Sequence, residues 1–190
     1  MEEKIVFISG GARSGKTSFA ESYAEKIFKK STGNLYYLAT SEASDREMDE
    51  RIKRHQKDRA KSDADWQTIE QAKEIGKIAK NIKEHSIVLV DCLTLLLSNE
   101  LYQADFNEKE YLNKSYQREV KDRVLAGLLK IASKSKVMLL VSNEVLNDLS
   151  YSDNPFVLIY QRLLGEIHQE IVKLASEAYL LESGIAIQKK

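Results

Sequence analysis

Apolar and polar positions along the chain follow two spacings, one typical of strands and one typical of helices. Six short apolar runs have the length and continuity of strands that are buried within a sheet. These predicted strands are Lys4–Ser9, Leu35–Ala39, Ile87–Val90, Val137–Val141, Ala178–Leu181 and Ile185–Gln188. Stretches with helical spacing lie between them, namely Lys16–Lys30, Ser44–Lys61, Thr68–Ile82, the long region Leu93–Ser133 and Phe156–Ser176. This alternation predicts an α/β fold with a mostly parallel sheet that is covered by helices on both faces.

Two turn signals refine this architecture. Ser183-Gly184 leaves only a tight link between the last two predicted strands, so the final strand is predicted to be an antiparallel edge strand. Pro155 is the only proline, and it follows the polar cluster Ser150–Asn154, which indicates a loop before a helix. The chain has 190 residues and contains no repeat or low-complexity linker, so we expect one domain over residues 1–190.

The composition narrows the classes of function. The chain has 29 Lys and Arg residues against 29 Asp and Glu residues, so nothing predicts a general attraction to nucleic acid. Cys92 is the only cysteine, which excludes an internal disulfide and favours a reducing compartment. Next to Asp91 at the end of a buried strand, we expect its thiol to be packed and inert. Residues 1–4 lead directly into the first strand and leave no room for a signal peptide, and no apolar run is long enough to span a membrane. We therefore expect a cytoplasmic protein.

A glycine-rich motif joins the first predicted strand to the first predicted helix. It has the pattern G-x-x-x-x-G-K-T, and its residues are Gly10, Gly11, Ala12, Arg13, Ser14, Gly15, Lys16 and Thr17. Such a loop points backbone N–H groups at a polyphosphate, and the helix adds the positive end of its dipole. Lys16 would reach the β- and γ-phosphates, and the Thr17 hydroxyl would be a ligand of Mg²⁺. A chance glycine-rich turn is the alternative, but the strand before the motif and the helix after it favour a phosphate-binding loop (P-loop) that binds a nucleoside triphosphate.

An acidic residue at the end of another apolar strand is the second expected part of such a site. Asp91 follows the strand Ile87–Val90 and would hold Mg²⁺ directly or through water, although an aspartate in this place can also be a simple turn residue. The guanine-reading motif N-K-x-D is absent, and Ser142-Asn143-Glu144-Val145 is the nearest sequence at an equivalent strand end. This argues against a switch-type regulatory GTPase.

A charged segment follows the second predicted strand. Arg51, His55 and Arg59 are spaced four residues apart, so on a helix they would share one face. One interpretation is a solvated charged helix. The other is a phosphate-facing surface, on which a neutral histidine nitrogen attacks phosphorus and the arginines stabilise the anionic transition state.

The other histidines and several tyrosines are predicted to be structural. His85 is expected in an exposed loop and His168 at the surface or in packing, while Tyr36, Tyr37, Tyr151 and Tyr160 are expected to pack in the core or at its rim. Three scattered histidines and one cysteine offer no spacing that predicts a zinc site.

Several motifs taken together resemble one family, the bifunctional adenosylcobinamide kinase/adenosylcobinamide-phosphate guanylyltransferases of adenosylcobalamin biosynthesis. They occur in the family's order over nearly the whole chain. These blocks are the P-loop, Tyr37-Leu38-Ala39-Thr40-Ser41, Asp45-x-Glu47-Met48-x-x-Arg51-Ile52-x-x-His55, Trp66-x-Thr68-x-Glu70, Asp91-Cys92-Leu93-Thr94, Val141-x-Asn143-Glu144-Val145 and Ser183-Gly184-Ile185. The block that contains His55 and the Ala39-Thr40-Ser41 sequence are far more specific than the P-loop alone.

The resemblance implies two successive reactions on a corrinoid substrate. A nucleoside triphosphate, GTP or ATP, phosphorylates the aminopropanol hydroxyl of adenosylcobinamide, and GMP is then passed from GTP through a guanylylated histidine to the new phosphate. The guanylylated residue would be His55, with Mg²⁺ at Thr17 and Asp91, and Arg51 and Arg59 as candidates for binding the departing pyrophosphate. The further nucleotide contacts that the resemblance implies are Ala39, Thr40, Ser41, Gln56, Lys57, Asp58, Arg59, Glu70 and Asp91. It also implies a homo-oligomer, a trimer, whose site lies near a subunit interface.

This sequence departs from the family pattern mainly in residues 146–169. Leu146–Ser152 replace a glycine-rich turn, and Tyr160–Gln169 change the identity or sign of several charged positions. Two alternatives remain open. One is a small-molecule kinase without guanylyltransferase activity, which uses only the P-loop chemistry, and the other is a nucleotide-binding protein that has lost catalysis, which the altered region permits.

Overall fold

The computed structural model describes residues 4–41, 64–102, 110–144 and 154–190. These ranges contain seven strands in one sheet, in the order β3-β2-β4-β5-β1-β6-β7. The strands are β1 Lys4–Gly10, β2 Leu35–Ala39, β3 Trp66–Glu70, β4 Ser86–Asp91, β5 Ser135–Asn143, β6 Glu177–Glu182 and β7 Ile185–Gln188. The α-helices are α1 Lys16–Phe28, α2 Leu93–Leu101, α3 Lys114–Ala132 and α4 Pro155–Leu174, and 3-10 helices span Ile75–Asn81 and Glu110–Leu112.

The strand pairing confirms the predicted α/β class. All neighbouring strands from β3 to β6 run parallel, so their carboxyl ends meet at one edge of the sheet. The last strand, β7, pairs antiparallel with β6, as the short Ser183-Gly184 link predicts. None of the helices in the described ranges is long and apolar enough to cross a bilayer.

Alternate residues of the central strands pack into two apolar layers, one on each face of the sheet. On β1, Ile5 and Phe7 belong to the layer beneath α2, α3 and α4, whereas Val6 and Ile8 belong to the layer that α1 covers. Because the central strands are buried on both faces, their sequences are unbroken apolar runs.

One predicted helix is wrong. The region Thr68–Ile82 forms the end of β3 followed by a 3-10 helix, not an α-helix. The strand forms because β3 pairs in parallel register with β2, and it lies at the sheet edge with most of its side chains exposed. The 3-10 helix buries Ile75, Ile78 and Ala79. The apolar spacing therefore predicted a buried face correctly but not the type of helix.

The other helices follow the predicted pattern with new boundaries. In the described part of the region Leu93–Ser133 there are two α-helices, α2 and α3, with the 3-10 helix Glu110–Leu112 between them. Helix α3 begins where the Asn113 side chain accepts a hydrogen bond from the Ser115 backbone N–H. The predicted start of a helix at Pro155 is confirmed, with Asn154 as the N-cap of α4, whereas residues 150–153 of the predicted loop lie outside the described residues. The predicted helix Ser44–Lys61 lies outside the described residues.

Candidate active site

The P-loop leaves the carboxyl end of β1 and turns directly into α1. Gly15 has a φ of 88°, and a Cβ at Gly10 would lie 2.5 Å from the Leu181 carbonyl oxygen, so both positions favour glycine. Lys16 is only 5% exposed, and its ammonium donates a hydrogen bond to the Gly11 carbonyl at 2.9 Å. The loop is therefore packed closely against β6, and its own Gly11 carbonyl binds the ammonium of its lysine.

Two side chains hold α1 in place behind the loop. The Tyr23 hydroxyl donates to the Glu177 carboxylate on β6 at 2.5 Å, and the Trp66 Nε1–H on β3 donates to Glu25 at 3.0 Å. Burial alone would raise the pKa of Glu177, but hydrogen bonds from Lys4, Tyr23 and Tyr179 outweigh it and lower the pKa to about 2. The first turn of α1, with Lys16 and Thr17, is thus fixed relative to strands on both sides.

Asp91 meets the P-loop at the carboxyl edge of the sheet. The Thr17 hydroxyl donates to Asp91 Oδ2 at 3.1 Å although the two residues are far apart in sequence. The Tyr37 hydroxyl donates to the same oxygen at 2.8 Å. The structure therefore brings together the hydroxyl and the carboxylate that the sequence predicts as the protein ligands of Mg²⁺, and it adds a tyrosine.

The end of β2 supports the backbone that carries Asp91. The Thr40 hydroxyl accepts from the Cys92 N–H and donates to the Cys92 carbonyl, both at 2.7 Å, and the Thr40 N–H donates to the Asp91 carbonyl at 3.0 Å. Thr40 is fully buried, and its side chain stabilises the backbone at this edge. Ala39 stands level with both Asp91 on β4 and Glu70 on β3, which places Glu70 on the same edge as an exposed carboxylate.

A second polar group lies at the end of β5, between β4 and β1. The Asn143 amide donates to the Thr94 hydroxyl at 2.9 Å, and this hydroxyl oxygen also lies 2.9 Å from the Cys92 sulfur. The Glu144 N–H donates to the Gly10 carbonyl at 2.8 Å. Burial, followed by the charge of Asp91, raises the pKa of the Cys92 thiol to about 11, in agreement with a packed, inert cysteine. The strand ends and the P-loop thus form one continuous hydrogen-bonded edge.

The match to a protein family covers nearly the whole chain. Residues 6–189 match the family model described as cobinamide kinase / cobinamide phosphate guanyltransferase. The chain belongs to this family.

Curated relatives agree with this membership. The chain is 25% identical over 189 residues to the bifunctional adenosylcobalamin biosynthesis protein CobU of Escherichia coli (strain K12), over 98% of this chain and 99% of that protein. The CobU protein of Salmonella typhimurium gives the same identity and coverage. The bifunctional adenosylcobalamin biosynthesis protein CobP of Pseudomonas aeruginosa is 41% identical over 95 residues, about half of each chain.

Solved structures confirm the P-loop α/β fold of this chain. The flagellar accessory protein FlaH from Methanocaldococcus jannaschii superposes with a TM-score of 0.53 at 13% identity, over 100% of this chain and 79% of that chain. A solved ATPase domain superposes with a TM-score of 0.52 at 16% identity, over 94% of this chain and 69% of that chain. At these identities the likeness concerns the fold alone.

The structure describes only part of the predicted site. The P-loop, Ala39, Thr40, Ser41, Glu70 and Asp91 all lie at the carboxyl edge of the sheet. The remaining predicted residues fall outside the described residues and stay predictions, namely Arg51, His55, Gln56, Lys57, Asp58 and Arg59.

Sequence reasoning missed Tyr37, Thr94 and Asn143 as parts of the site. The sequence indicated Tyr37 only as a packing residue, and its ring does pack on Trp66, but its hydroxyl reaches Asp91. A tyrosine predicted inside a buried strand needs a hydrogen-bond partner for its hydroxyl. Asp91 was predicted at the end of a strand of the same sheet, so the sequence contained enough to suggest this pair. Thr94 and Asn143 both stand in the motif blocks that resemble the family, but these blocks assigned neither residue a role, because their contact depends on how α2 packs.

Two altered family positions are engaged in a surface network. Arg162 pairs with Glu166 one turn later on α4 at 2.9 Å, and it donates to Gln117 on α3. Lys121 on α3 also donates to Glu166 at 2.7 Å and, as the main cause, lowers the pKa of that carboxyl. These charges hold α3 and α4 together in the described part of residues 146–169, where the sequence departs from the family pattern.

Proposed function

We propose that this chain phosphorylates adenosylcobinamide with a nucleoside triphosphate and then transfers GMP from GTP to the product through His55. The observation that carries the proposal is the 3.1 Å contact of Thr17 with Asp91 beside a P-loop that holds its lysine, in a member of this family. The CobU and CobP relatives are named as bifunctional proteins of adenosylcobalamin biosynthesis, which supports both activities.

In the first reaction, the P-loop would bind the triphosphate and Lys16 would neutralise charge that develops on the transferred phosphoryl group. The substrate hydroxyl attacks the γ-phosphorus, loses its proton and forms a phosphate ester, and the nucleoside diphosphate leaves. The Lys16 ammonium now contacts the Gly11 carbonyl and would exchange this contact for phosphate oxygens.

Thr17 and Asp91 fit the requirements of Mg²⁺. Both offer oxygen ligands, which this ion prefers, and they come together from α1 and β4. The described ranges hold no cluster of three or more His, Cys, Asp and Glu side chains that could bind a metal, so phosphate oxygens and water would complete the coordination. Bound there, Mg²⁺ would neutralise phosphate charge and orient the leaving group.

In the second reaction, a neutral His55 nitrogen attacks the α-phosphorus of GTP, and the bond to pyrophosphate breaks. The resulting phosphoramidate is then attacked by the phosphate of the first product, which forms the diphosphate link of adenosylcobinamide-GDP and frees the histidine. Arg51 and Arg59 are the proposed partners of the pyrophosphate.

Covalent labelling tests this mechanism. We expect GTP labelled at the α-phosphate to modify the wild-type protein in the presence of Mg²⁺, with GMP mapped to His55. His55→Ala should carry no label yet keep most of its kinase activity, measured as phosphate transfer from γ-labelled nucleotide to adenosylcobinamide. Lys16→Ala should lose about 100-fold or more in both reactions, because both need the triphosphate held.

His85→Asn is the matched control, since His85 is an exposed histidine in a left-handed conformation that asparagine tolerates. It should label like the wild type. A label that persists in His55→Ala would refute the role of His55. Kinase activity without any label in the wild type would favour a plain kinase, and GTP binding without either reaction would favour a protein that has lost catalysis.

A further inference from the structure

Tyr37 is placed to orient the carboxylate of Asp91. Its hydroxyl donates to Asp91 Oδ2 at 2.8 Å, from a side chain that is only 6% exposed. We propose that Tyr37 is a positioning residue for metal binding, which fixes Oδ2 and leaves Oδ1 of Asp91 for Mg²⁺ or for a water bound to it. This proposal rests on the proposed use of a magnesium-bound nucleotide at the P-loop.

The two hydroxyls on Asp91 Oδ2 have different tasks. Thr17 is itself a proposed ligand. Its oxygen would bind the metal, while its proton would remain in the hydrogen bond to Asp91. Tyr37 belongs to β2 and has no part in the P-loop, so its hydrogen bond to Asp91 can persist whether or not a nucleotide is bound. Partners of this kind orient metal ligands, and their loss lowers metal affinity about 10- to 100-fold.

Tyr37 is itself held on several sides. Its backbone pairs with Leu89 of β4 and with Thr68 of β3. Its ring packs edge-on against Trp66, with ring centroids 6.2 Å apart and planes at 78°. Trp66 in turn donates to Glu25 at 3.0 Å, so the hydroxyl of Tyr37 is fixed relative to the helix that carries Thr17.

Tyr37→Phe tests the proposal, because it removes the hydroxyl and keeps the ring. We measure the binding of GTP to the full chain by calorimetry, first with a chelator and then across a magnesium titration. The metal-free affinity for GTP should stay within about twofold of the wild type, while the magnesium concentration that half-saturates the metal-dependent gain should rise about 10-fold. A purely structural role would instead weaken GTP binding with and without the metal.

Tyr36→Phe is the matched control on the neighbouring position. Tyr36 is equally buried, but it faces the opposite layer of the sheet, where its hydroxyl accepts a hydrogen bond from Asn34. This variant should keep the magnesium dependence of the wild type. Asp91→Asn should lose most of that dependence, and adding Tyr37→Phe to it should have no further effect, because both changes act on one carboxylate.

The ways in which the test can fail are distinguishable. If the wild type binds GTP with a clear magnesium dependence and Tyr37→Phe matches it, the role of Tyr37 is refuted while the proposed function stands. If Tyr37→Phe and Tyr36→Phe shift the magnesium titration equally, the effect belongs to the strand and the proposal is also refuted. A wild type with no magnesium-dependent binding of GTP would refute the proposed function itself.

Discussion

His168 is a histidine that the fold keeps neutral. It is 8% exposed, its ring packs edge-on against Phe7, and its Nε2 lies 2.7 Å from the Ser142 hydroxyl. Burial lowers the pKa of His168 to about 4, because the apolar layer around α4 disfavours the imidazolium. This agrees with the packing role predicted for His168.

The neutral state of His168 makes stability depend on pH. In the unfolded chain this histidine is protonated below about pH 6.5, whereas in the folded chain it is protonated only near pH 4. The free energy of unfolding should therefore fall as pH is lowered from 6.5 to 4, by up to about 3 kcal/mol from this one group. Urea unfolding at a series of pH values measures this slope.

His168→Gln should flatten that slope, because the glutamine amide can bond Ser142 but does not titrate. The exposed His85→Asn variant should keep the slope of the wild type. An unchanged slope in His168→Gln would mean that another group binds the proton.

The parts of the site that are local in sequence could be predicted from motif spacing, and Asp91 could be predicted from its place at the end of an apolar strand, but the contacts that join these parts could not. The P-loop is one continuous motif, so its glycines, Lys16 and Thr17 could be recognised from spacing. The contact of Asp91 with Thr17 needs β5 to lie between β4 and β1, and this strand order is set by tertiary packing. Tyr37 was missed for the same reason, because its partner is on a neighbouring strand.

The terminal hairpin is an element that contacts the P-loop. Its turn has positive φ at both central residues, 51° at Ser183 and 83° at Gly184, which is typical of a type I′ turn. The Gly184 N–H donates to the Ser14 carbonyl at 3.0 Å, and Gly184 Cα lies 3.5 Å from where a Cβ of Gly15 would stand. The turn therefore contacts the phosphate-binding loop directly, and its geometry helps to fix the shape of that loop.

Ser183→Asn should stabilise the protein, because asparagine tolerates the left-handed conformation better than serine and Asn-Gly is the favoured pair in this turn. We expect a gain of about 0.5 kcal/mol, or roughly 1–2 °C in Tm. Gly184→Ala should have the opposite sign and cost about 1 kcal/mol. Thermal unfolding compares the two variants, and a lower Tm for Ser183→Asn would contradict the assigned turn.

Strands with continuous burial were predictable, and the edge strand β7 was predictable from its tight turn, but the edge strand β3 was not. The central strands are buried on both faces, so their apolar runs identify them. In β3 only Trp66 and Ile69 are partly buried, and pairing with β2 rather than composition makes it a strand. Helical spacing in the residues that follow is real, but the segment is a 3-10 helix that approaches Gly127 of α3 through Gly76.

At the scale of the whole molecule, both apolar layers depend on the same sheet. Glu100 of α2 is buried and receives hydrogen bonds from Arg123 of α3 and from the Glu74 backbone N–H. This group joins α2, α3 and the 3-10 helix on one face, while α1 covers the other. Neither layer could persist if the central strands separated.

We therefore propose that residues 1–190 unfold as one cooperative unit. Calorimetry should give a single transition whose calorimetric and van't Hoff enthalpies agree. Magnesium and GTP at about 100 times the dissociation constant should add about 2.7 kcal/mol to the free energy of unfolding and raise Tm without splitting the transition. Two transitions, or a nucleotide shift in only part of the heat absorption, would argue for separate domains.

Cys92 offers a chemical measure of how often the site edge opens. It is the only cysteine, it directly follows Asp91, and it is 5% exposed with burial raising the thiol pKa to about 11. Because a maleimide reacts with the thiolate, alkylation of the folded protein requires the packing around Cys92, in the layer that α1 covers, to open. The modification rate of the unaltered chain would then report this opening in real time, and a ligand that slows it by more than it slows global unfolding would be one that closes the edge at Asp91.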